Sequence, residues 1–207
     1  MICYIFCSAP IENYDYLHKF DFEKGFVICA DGGYLHTEKL GIVPDLWLGD
    51  GDSLNKNRIT AKETITFPAK KDYTDTDLAV TEALKRGYKD IVILGALGGR
   101  LDHEFSHFCL LKKVLECGAK AVLINEKNEI TMENKNFTVY PDGKKYISFF
   151  PFGGDVTDFS VKGLYYETEG MHLECNKVQA SSNCFDDGNP GEIRFSTGYV
   201  LVIKSND

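Results

Sequence analysis

The first half of the chain alternates between two kinds of segment, and that alternation constrains the fold more than any other feature. "CYIFCSA", "GFVICAD", "DLWLGD", "TITFPA", "DIVILGA" and "KAVLINE" are short apolar runs, each ending near a polar or glycine-rich turn. Amphipathic stretches lie between several of them, most clearly "TDTDLAVTEALKRG" and "DHEFSHFCLLKKVLECG". These two close on Gly87 and Gly118, where a helix C-cap is expected. Near-continuous apolar strands alternating with helices predict a mostly parallel sheet covered on both faces, a Rossmann-like α/β domain. Such sheets bind ligands beyond the C-terminal ends of their strands.

From about Asn128 the pattern changes. "KKYISFFPF", "DFSVKGLYYE", "MHLECNKVQ" and "GEIRFSTGYVLVIK" read as strands, divided by the turn sequences "PDG", "FGGD" and "DDGNPG". No long helical pattern follows, so an all-β sandwich or small barrel is expected. The two domains divide at 127/128, with 1–127 as the α/β domain and 128–207 as the β domain.

The whole-chain properties exclude several classes. With 207 residues, 43% of them hydrophobic and 26% charged, the chain can build a core without disulfide staples. A formal net charge of -8 argues against a nucleic-acid backbone as partner, since that binding rests on clustered Lys and Arg. The seven cysteines are scattered and form no CxxC pair. They read as reduced core residues of a cytoplasmic protein, several of them inside apolar runs such as "VICA" and "HFCLLKKV". "MICYIFCSAP" lacks a basic flank and reads as a buried first strand, and no apolar run approaches the roughly 20 residues of a membrane-spanning helix.

The chemistry gathers after the strands. "ADGG" carries Asp31, Gly32 and Gly33, and "GDGDS" carries Asp50 and Asp52. "KKDYTDTD" carries Lys70, Lys71, Asp72, Thr74, Asp75 and Asp77, and "LGGRLDH" carries Gly98, Gly99, Arg100, Asp102 and His103. The strand-end rule puts all four turns on one edge of one sheet. Magnesium takes one or two carboxylates together with substrate phosphates and water. Asp50 and Asp52 form a short chelating turn, and Asp72 and Asp75 can close the site. Thr74 or Asp75 can equally cap the following helix, with Asp77 in its first turn. "GGR" opening a helix brings backbone N–H groups and a planar guanidinium to an anion, with Lys70 and Lys71 on a neighbouring strand end. His103 and His107 stand at i and i+4, a spacing that can bind zinc, but no third ligand accompanies them and local polar contacts are the preferred reading.

"ADGG", "GDGDS", "KDYTDTDLA" and "GGRLDH", in this order, resemble the thiamine pyrophosphokinase family, and so do "GLYYE" at Gly163–Glu167 and "SSN" at Ser181–Asn183. The resemblance covers essentially the whole chain. It implies an ATP- and magnesium-binding catalytic domain, then a β-sandwich that binds thiamine and dimerises. A homodimer would hold thiamine where its subunits meet. The implied reaction moves the terminal pyrophosphoryl group of ATP to the hydroxyethyl oxygen of thiamine and releases AMP. Carried over by motif, Asp50, Asp52 and Asp75 hold magnesium with Asp72 beside them, and Lys71 and Arg100 contact phosphates. Asp31, with Gly32, Gly33, Thr74 and Gly99, lies on the nucleotide side. Asp102 and Ser182, with Asn183, hold the aminopyrimidine, and Tyr166 of the partner subunit stacks on it. Two departures stand near the acceptor: Glu167-Thr168 where the bacterial pattern usually has Pro-Leu, and Cys184 where an acidic residue is common. The alternatives are a pyrophosphokinase of another alcohol, such as a hydroxymethylpterin, and a nucleotide-binding module without turnover.

Overall fold

The computed structural model describes residues 1–51, 59–68, 70, 72–186 and 188–207. It divides into two compact units, Met1–Glu126 and Lys127–Asp207.

Among the described residues, the first unit holds six strands: β1 (Ile2–Phe6), β2 (Phe26–Ala30), β3 (Leu46–Gly49), β4 (Glu63–Thr66), β5 (Asp90–Leu94) and β6 (Lys120–Ile124). All pair in parallel, in the order β6-β5-β1-β2-β3-β4. The six apolar runs of the sequence are these six strands. Strand alternation sends Tyr4 and Phe6 into one apolar cluster with Val27, Cys29, Trp47, Val92 and Leu94. The intervening positions, Cys3, Ile5, Ile28, Leu46, Ile91 and Ile93, are also buried. Burial on both faces is the signature of a covered parallel sheet.

The helices are α1 (Tyr34–Lys39), α2 (Asp75–Lys85) and α3 (Leu101–Glu116). In α2 the positions Thr76, Ala79, Val80 and Ala83 are buried at helical spacing, and the helix packs on β1, β2 and β3. Each of the two longer helices ends as its glycine predicts. Gly87 has φ +87° and Gly118 φ +67°, and in each case the next residue's N–H bonds a carbonyl of the last turn, Tyr88 to Ala83 and Ala119 to Val114, both at 3.1 Å. Cys109, Cys117 and Cys175 are exposed and Cys184 half-buried, which corrects the expectation of core cysteines. Cys109 falls on the solvent side of α3, in line with the exposed Leu101 and Phe105, whereas Cys3 and Cys29 are buried strand residues and Cys7 is buried just after β1. All seven thiols are free. Among the described residues, no helix is long and apolar enough to cross a membrane.

The second unit is an antiparallel sandwich. One layer pairs β12 (Ala180–Asn183), β9 (Tyr146–Pro151), β14 (Val200–Ser205) and β7 (Asn128–Glu133). The other pairs β11 (Thr168–Leu173), β10 (Val156–Lys162), β13 (Gly191–Arg194) and β8 (Phe137–Val139). Phe149 and Val202 from one layer and Phe159, Val161 and Ile193 from the other share one core. The strand reading was coarse here. It missed β7, β8 and β12 and merged β13 with β14, which separate at Gly198 (φ +104°). "GLYYE" is a turn, not strand, touching the rest of the sheet through a bridge from Leu164 to Phe185. "SSN" is strand: it lies in β12, where the register slips by one residue at a bulge and Ser182 takes φ +58°.

Two buried histidines stitch the strand ends of the first unit. His36 Nε2 donates to the Ala9 carbonyl at 3.0 Å, which leaves Nδ1 to accept the Tyr14 hydroxyl at 2.6 Å. His107 Nδ1 donates to the Ala96 carbonyl at 2.8 Å. They hold the segments that leave β1 and β5, two adjacent strands. Burial pushes both imidazoles below the ordinary histidine value of 6.5.

Two stability predictions follow from this packing. A β-carbon on Gly33 would lie 2.0 Å from the Phe6 carbonyl oxygen, so Gly33→Ala is expected to destabilise the fold by about 2–3 kcal/mol. Urea unfolding should show a lower midpoint at unchanged slope. The histidines set a pH trend. Their native pKa values are depressed, so the unfolded chain binds more protons as pH falls through 6.5. Their contribution is fully present above 6.5 and is lost below it, down through the native values. Melting temperature should therefore fall on acidification across that window, and less steeply in His36→Gln or His107→Gln.

Candidate active site

Parallel strands end at one edge, and the strand order decides where that edge opens. From β1 the chain runs outward through β2, β3 and β4, whereas β5 and β6 lie on the other side of β1. Connections leaving β1 and β5 therefore part in opposite directions, and a crevice forms between them. A cleft of about 560 Å³ lies there. Its walls are Cys7–Pro10 after β1, Asp31 after β2, Asp50 after β3, Tyr73–Thr76 entering α2, and residues from Gly95 to His107 after β5.

The backbone at this edge is tightly specified. Pairing of β1 with β5 continues past both strands, with Cys7 N–H on Leu94 O and Ala9 N–H on Gly95 O, each at 2.8 Å. Gly95 has φ +61°, and a β-carbon there would meet the Cys7 carbonyl oxygen at 2.4 Å. Asp31 is a non-glycine residue at φ +44°. The Trp47 indole N–H donates to its carbonyl at 3.1 Å, and Gly49 leaves room for its Cα. The side chain is thereby aimed with little freedom. One of its carboxylate oxygens, Oδ1, is buried and has no hydrogen-bond partner among the described residues. A buried carboxylate oxygen without a donor is costly and calls for a cation or a ligand donor.

Thr74 caps α2: its hydroxyl accepts from the Asp77 N–H at 3.1 Å. Asp77 itself is structural. Its carboxylate takes Lys113 Nζ at 2.6 Å and the Thr81 hydroxyl at 3.2 Å, tying α2 to α3. Asp75, the first residue of α2, stays on the cleft wall.

Across the cleft, Arg100 immediately precedes α3 and is paired with Asp102, Nη2 to Oδ2 at 2.6 Å. That partner raises the guanidinium pKa, and the guanidinium in turn holds the Asp102 carboxyl below its usual range. The pair is mostly exposed. The Gly98 and Gly99 N–H groups do converge on an anion, as a Gly-Gly turn predicts, but the anion is the Glu104 carboxylate, at 2.8 and 2.9 Å.

The sequence-derived residues thus divide. Asp31, Asp50, Thr74, Asp75, Gly99 and Arg100 line one cleft. Gly32 and Gly33 are buried against Ser8 and Phe6 and serve packing, while Asp72 and Lys70 are exposed outside the cleft lining. Asp52 and Lys71 lie outside the described residues. His103 lines the cleft, and His107 spends Nδ1 on Ala96, a local polar contact. Sequence reasoning missed the Ser8–Pro10 segment, Glu104 and Tyr73. "SAP" directly after an apolar strand is the signal that was available for the first of these.

Among the described residues, no three His, Cys, Asp or Glu side chains form a protein-only metal cage. Magnesium does not need one, since phosphate and water complete its octahedron. The buried orphan oxygen of Asp31, with Asp50 and Asp75 on the same cleft, fits such a cation.

In the second unit, Tyr166 is 63% exposed and stands edge-on to Tyr165, ring centroids 4.9 Å apart. It is not a core residue. Asn183 is buried and turned inward: Oδ1 accepts from Tyr166 N–H at 2.9 Å, and Nδ2 donates to Tyr166 O at 2.8 Å. Its Oδ1 also accepts from Cys184 N–H at 2.9 Å, so the buried amide holds the backbone of both Tyr166 and Cys184. Ser182 is exposed, with its N–H on the Ser148 hydroxyl at 2.9 Å. Glu167 accepts from Gly163 N–H at 2.7 Å and closes the same turn.

Comparison with known proteins agrees with both units. Residues 17–123 match the thiamin pyrophosphokinase catalytic domain, and residues 128–200 match the thiamin pyrophosphokinase vitamin B1 binding domain. A thiamine pyrophosphokinase of Bacillus subtilis is 32% identical over 187 residues, 87% of either chain. The crystal structure of thiamine pyrophosphokinase from Bacillus subtilis superposes with a TM-score of 0.90 at 30% identity, covering 100% of both chains. That of thiamin pyrophosphokinase from Geobacillus thermodenitrificans gives 0.86 at 26% identity, covering 100% of this chain and 98% of the other. With catalytic and vitamin-binding halves both matched, in order and over nearly the full length, the chain belongs to the thiamine pyrophosphokinase family.

Proposed function

We propose that the β1/β5 cleft holds ATP with magnesium while the terminal pyrophosphoryl group moves to the hydroxyethyl oxygen of thiamine and AMP leaves. One observation carries this reading: Asp31, Asp50, Asp75 and Arg100, from four separate strand ends, meet in a single cleft at the switch point. A wall this rich in carboxylates repels a polyphosphate unless a cation lies between them. Bound there by Asp50, Asp52 and Asp75, magnesium would neutralise charge on the phosphate oxygens. Asp31, held rigidly by Trp47, keeps a carboxylate oxygen on the nucleotide side. Arg100 supplies a planar donor to the phosphates, and to do so it shares or leaves Asp102. Little covalent work is asked of the protein, since transfers of this kind rest on positioning and charge neutralisation.

Thiamine recognition belongs to the second unit in this reading. Tyr166 presents an exposed ring on a turn fixed by Asn183 and Glu167. In a homodimer that ring would stack on the aminopyrimidine beside the partner's phosphate site, with Ser182 and Asp102 as polar contacts. Free thiols and the lack of a membrane-crossing helix among the described residues support a cytoplasmic setting.

AMP release from ATP that requires both thiamine and magnesium is the direct test; release with a hydroxymethylpterin but not with thiamine would overturn the acceptor. Asp50→Asn and Asp52→Asn should each keep the fold by circular dichroism and lose on the order of 100-fold or more in kcat. Near-normal turnover in both would make the Asp50–Asp52 turn a solvated loop. For the acceptor side, Tyr166→Ala should raise the thiamine KM by roughly tenfold and leave the ATP KM nearly unchanged. Mixing Asp50→Asn with Tyr166→Ala subunits should restore activity through one composite site. Subunits that exchange, as seen by mass, yet regain nothing would place the whole site within one chain.

A further inference from the structure

Glu104 is the cleft residue that the reaction chemistry does not ask for. It adds a carboxylate to a wall already acidic, beside the guanidinium expected to meet phosphate. Its contacts supply a reason for its presence. A single oxygen, Oε1, accepts both the Gly98 N–H at 2.8 Å and the Gly99 N–H at 2.9 Å. Gly98 holds φ +89°, a conformation that glycine alone adopts readily, and Gly99 packs so near Ala9 that a β-carbon would lie 3.1 Å from it. The turn is thus pressed against the segment after β1 on one side and bonded to α3 on the other. Arg100 is the next residue. Its carbonyl takes the first bonds of α3, from His103 and Glu104, both at 3.1 Å. Glu104 therefore closes a loop: rooted in the first turn of α3, it reaches back over Arg100 to the two amides before it.

We infer that Glu104 is a positioning residue for the nucleotide: the two hydrogen bonds it accepts from the Gly98–Gly99 turn set the direction in which Arg100 enters the cleft. This rests on the reading that Arg100 meets the ATP phosphates. The two N–H groups offset the Glu104 charge locally, so the carboxylate can sit near a polyphosphate without opposing it. What matters in this role is an acceptor at the right reach, not the charge.

Two conservative variants separate these properties. Glu104→Gln keeps an acceptor oxygen at the same distance and removes the charge. Glu104→Asp keeps the charge and withdraws the acceptor by one methylene. KM and kcat for ATP and for thiamine, with amide hydrogen exchange at Gly98 and Gly99, should be measured in both beside the wild-type chain. Glu104→Asp should raise the ATP KM by roughly tenfold, leave the thiamine KM in place and speed exchange at both glycines. Glu104→Gln should stay within about threefold of wild type, with exchange still slow. Impairment of Glu104→Gln equal to that of Glu104→Asp would show that an acceptor at the right reach is not enough without the charge, and would overturn the assignment. So would tighter ATP binding in Glu104→Asp, since Glu104 would then be an internal competitor of phosphate. A wild-type-like Glu104→Asp beside an inactive Asp50→Asn would sink the role of Glu104 alone. A fully active Asp50→Asn would sink the underlying site.

Discussion

The parallel pairing of β1 with both β2 and β5 is the constraint on which the rest depends. β1 lies inside the sheet, with Cys3, Ile5 and Phe6 wholly buried, so it cannot move to an edge without exposing a continuous apolar strand. Because all its neighbours run the same way, every polar turn that follows a strand arrives at one edge. Because the chain leaves β1 on one side and returns beside it as β5, that edge must open at one point. Both segments bounding the opening are then fixed by a neutral, buried histidine on a carbonyl, His36 on Ala9 and His107 on Ala96.

The electrostatics of the cleft follow from that convergence. Carboxylates widely separated in sequence, at 31, 50, 75 and 104, line one cleft. Each is handled differently by the fold. Glu104 is neutralised by two backbone N–H groups, and Asp102, at the rim, by Arg100. Asp77, which belongs to the same acidic motif, is drawn away by Lys113 and ties two helices together. Asp31 keeps a buried oxygen with no donor among the described residues. The fold thus spends some acids on its own structure and reserves others for the ligand side.

The second unit applies the same economy to an aromatic residue. Burying Tyr166 would contribute to the sandwich core, yet its ring is at the surface and its backbone is held by a buried amide. Asn183 bonds the Tyr166 N–H and carbonyl of that turn, and Glu167 closes it from the other side. A rigid turn carrying an exposed aromatic ring loses little conformational entropy on binding a flat ligand.

Local pattern alone determined the six strands and the two longer helices of the first unit, because burial on both faces leaves long apolar runs and because glycine marks the ends of α2 and α3 through its backbone freedom; the short α1 gave no such signal. It also placed the acidic and glycine-rich turns on one sheet edge, since parallel strands allow no other arrangement. In the sandwich it missed β7, β8 and β12: short strands with one wet face carry a weak alternation, and a bulge at Ser182 disguises the last of them. Which acids face the cleft was legible through the motif resemblance, which singled out Asp31, Asp50 and Asp75, and not through local pattern. Asp75 and Asp77 are two residues apart in one motif, yet one lines the cleft and the other binds Lys113, a partner 36 residues away. Glu104 carries no local signal at all, and its role emerges only from its backbone partners. Sequence pattern reports what each residue is near along the chain; the direction of a side chain is set by what packs across from it, and only the tertiary structure decides that.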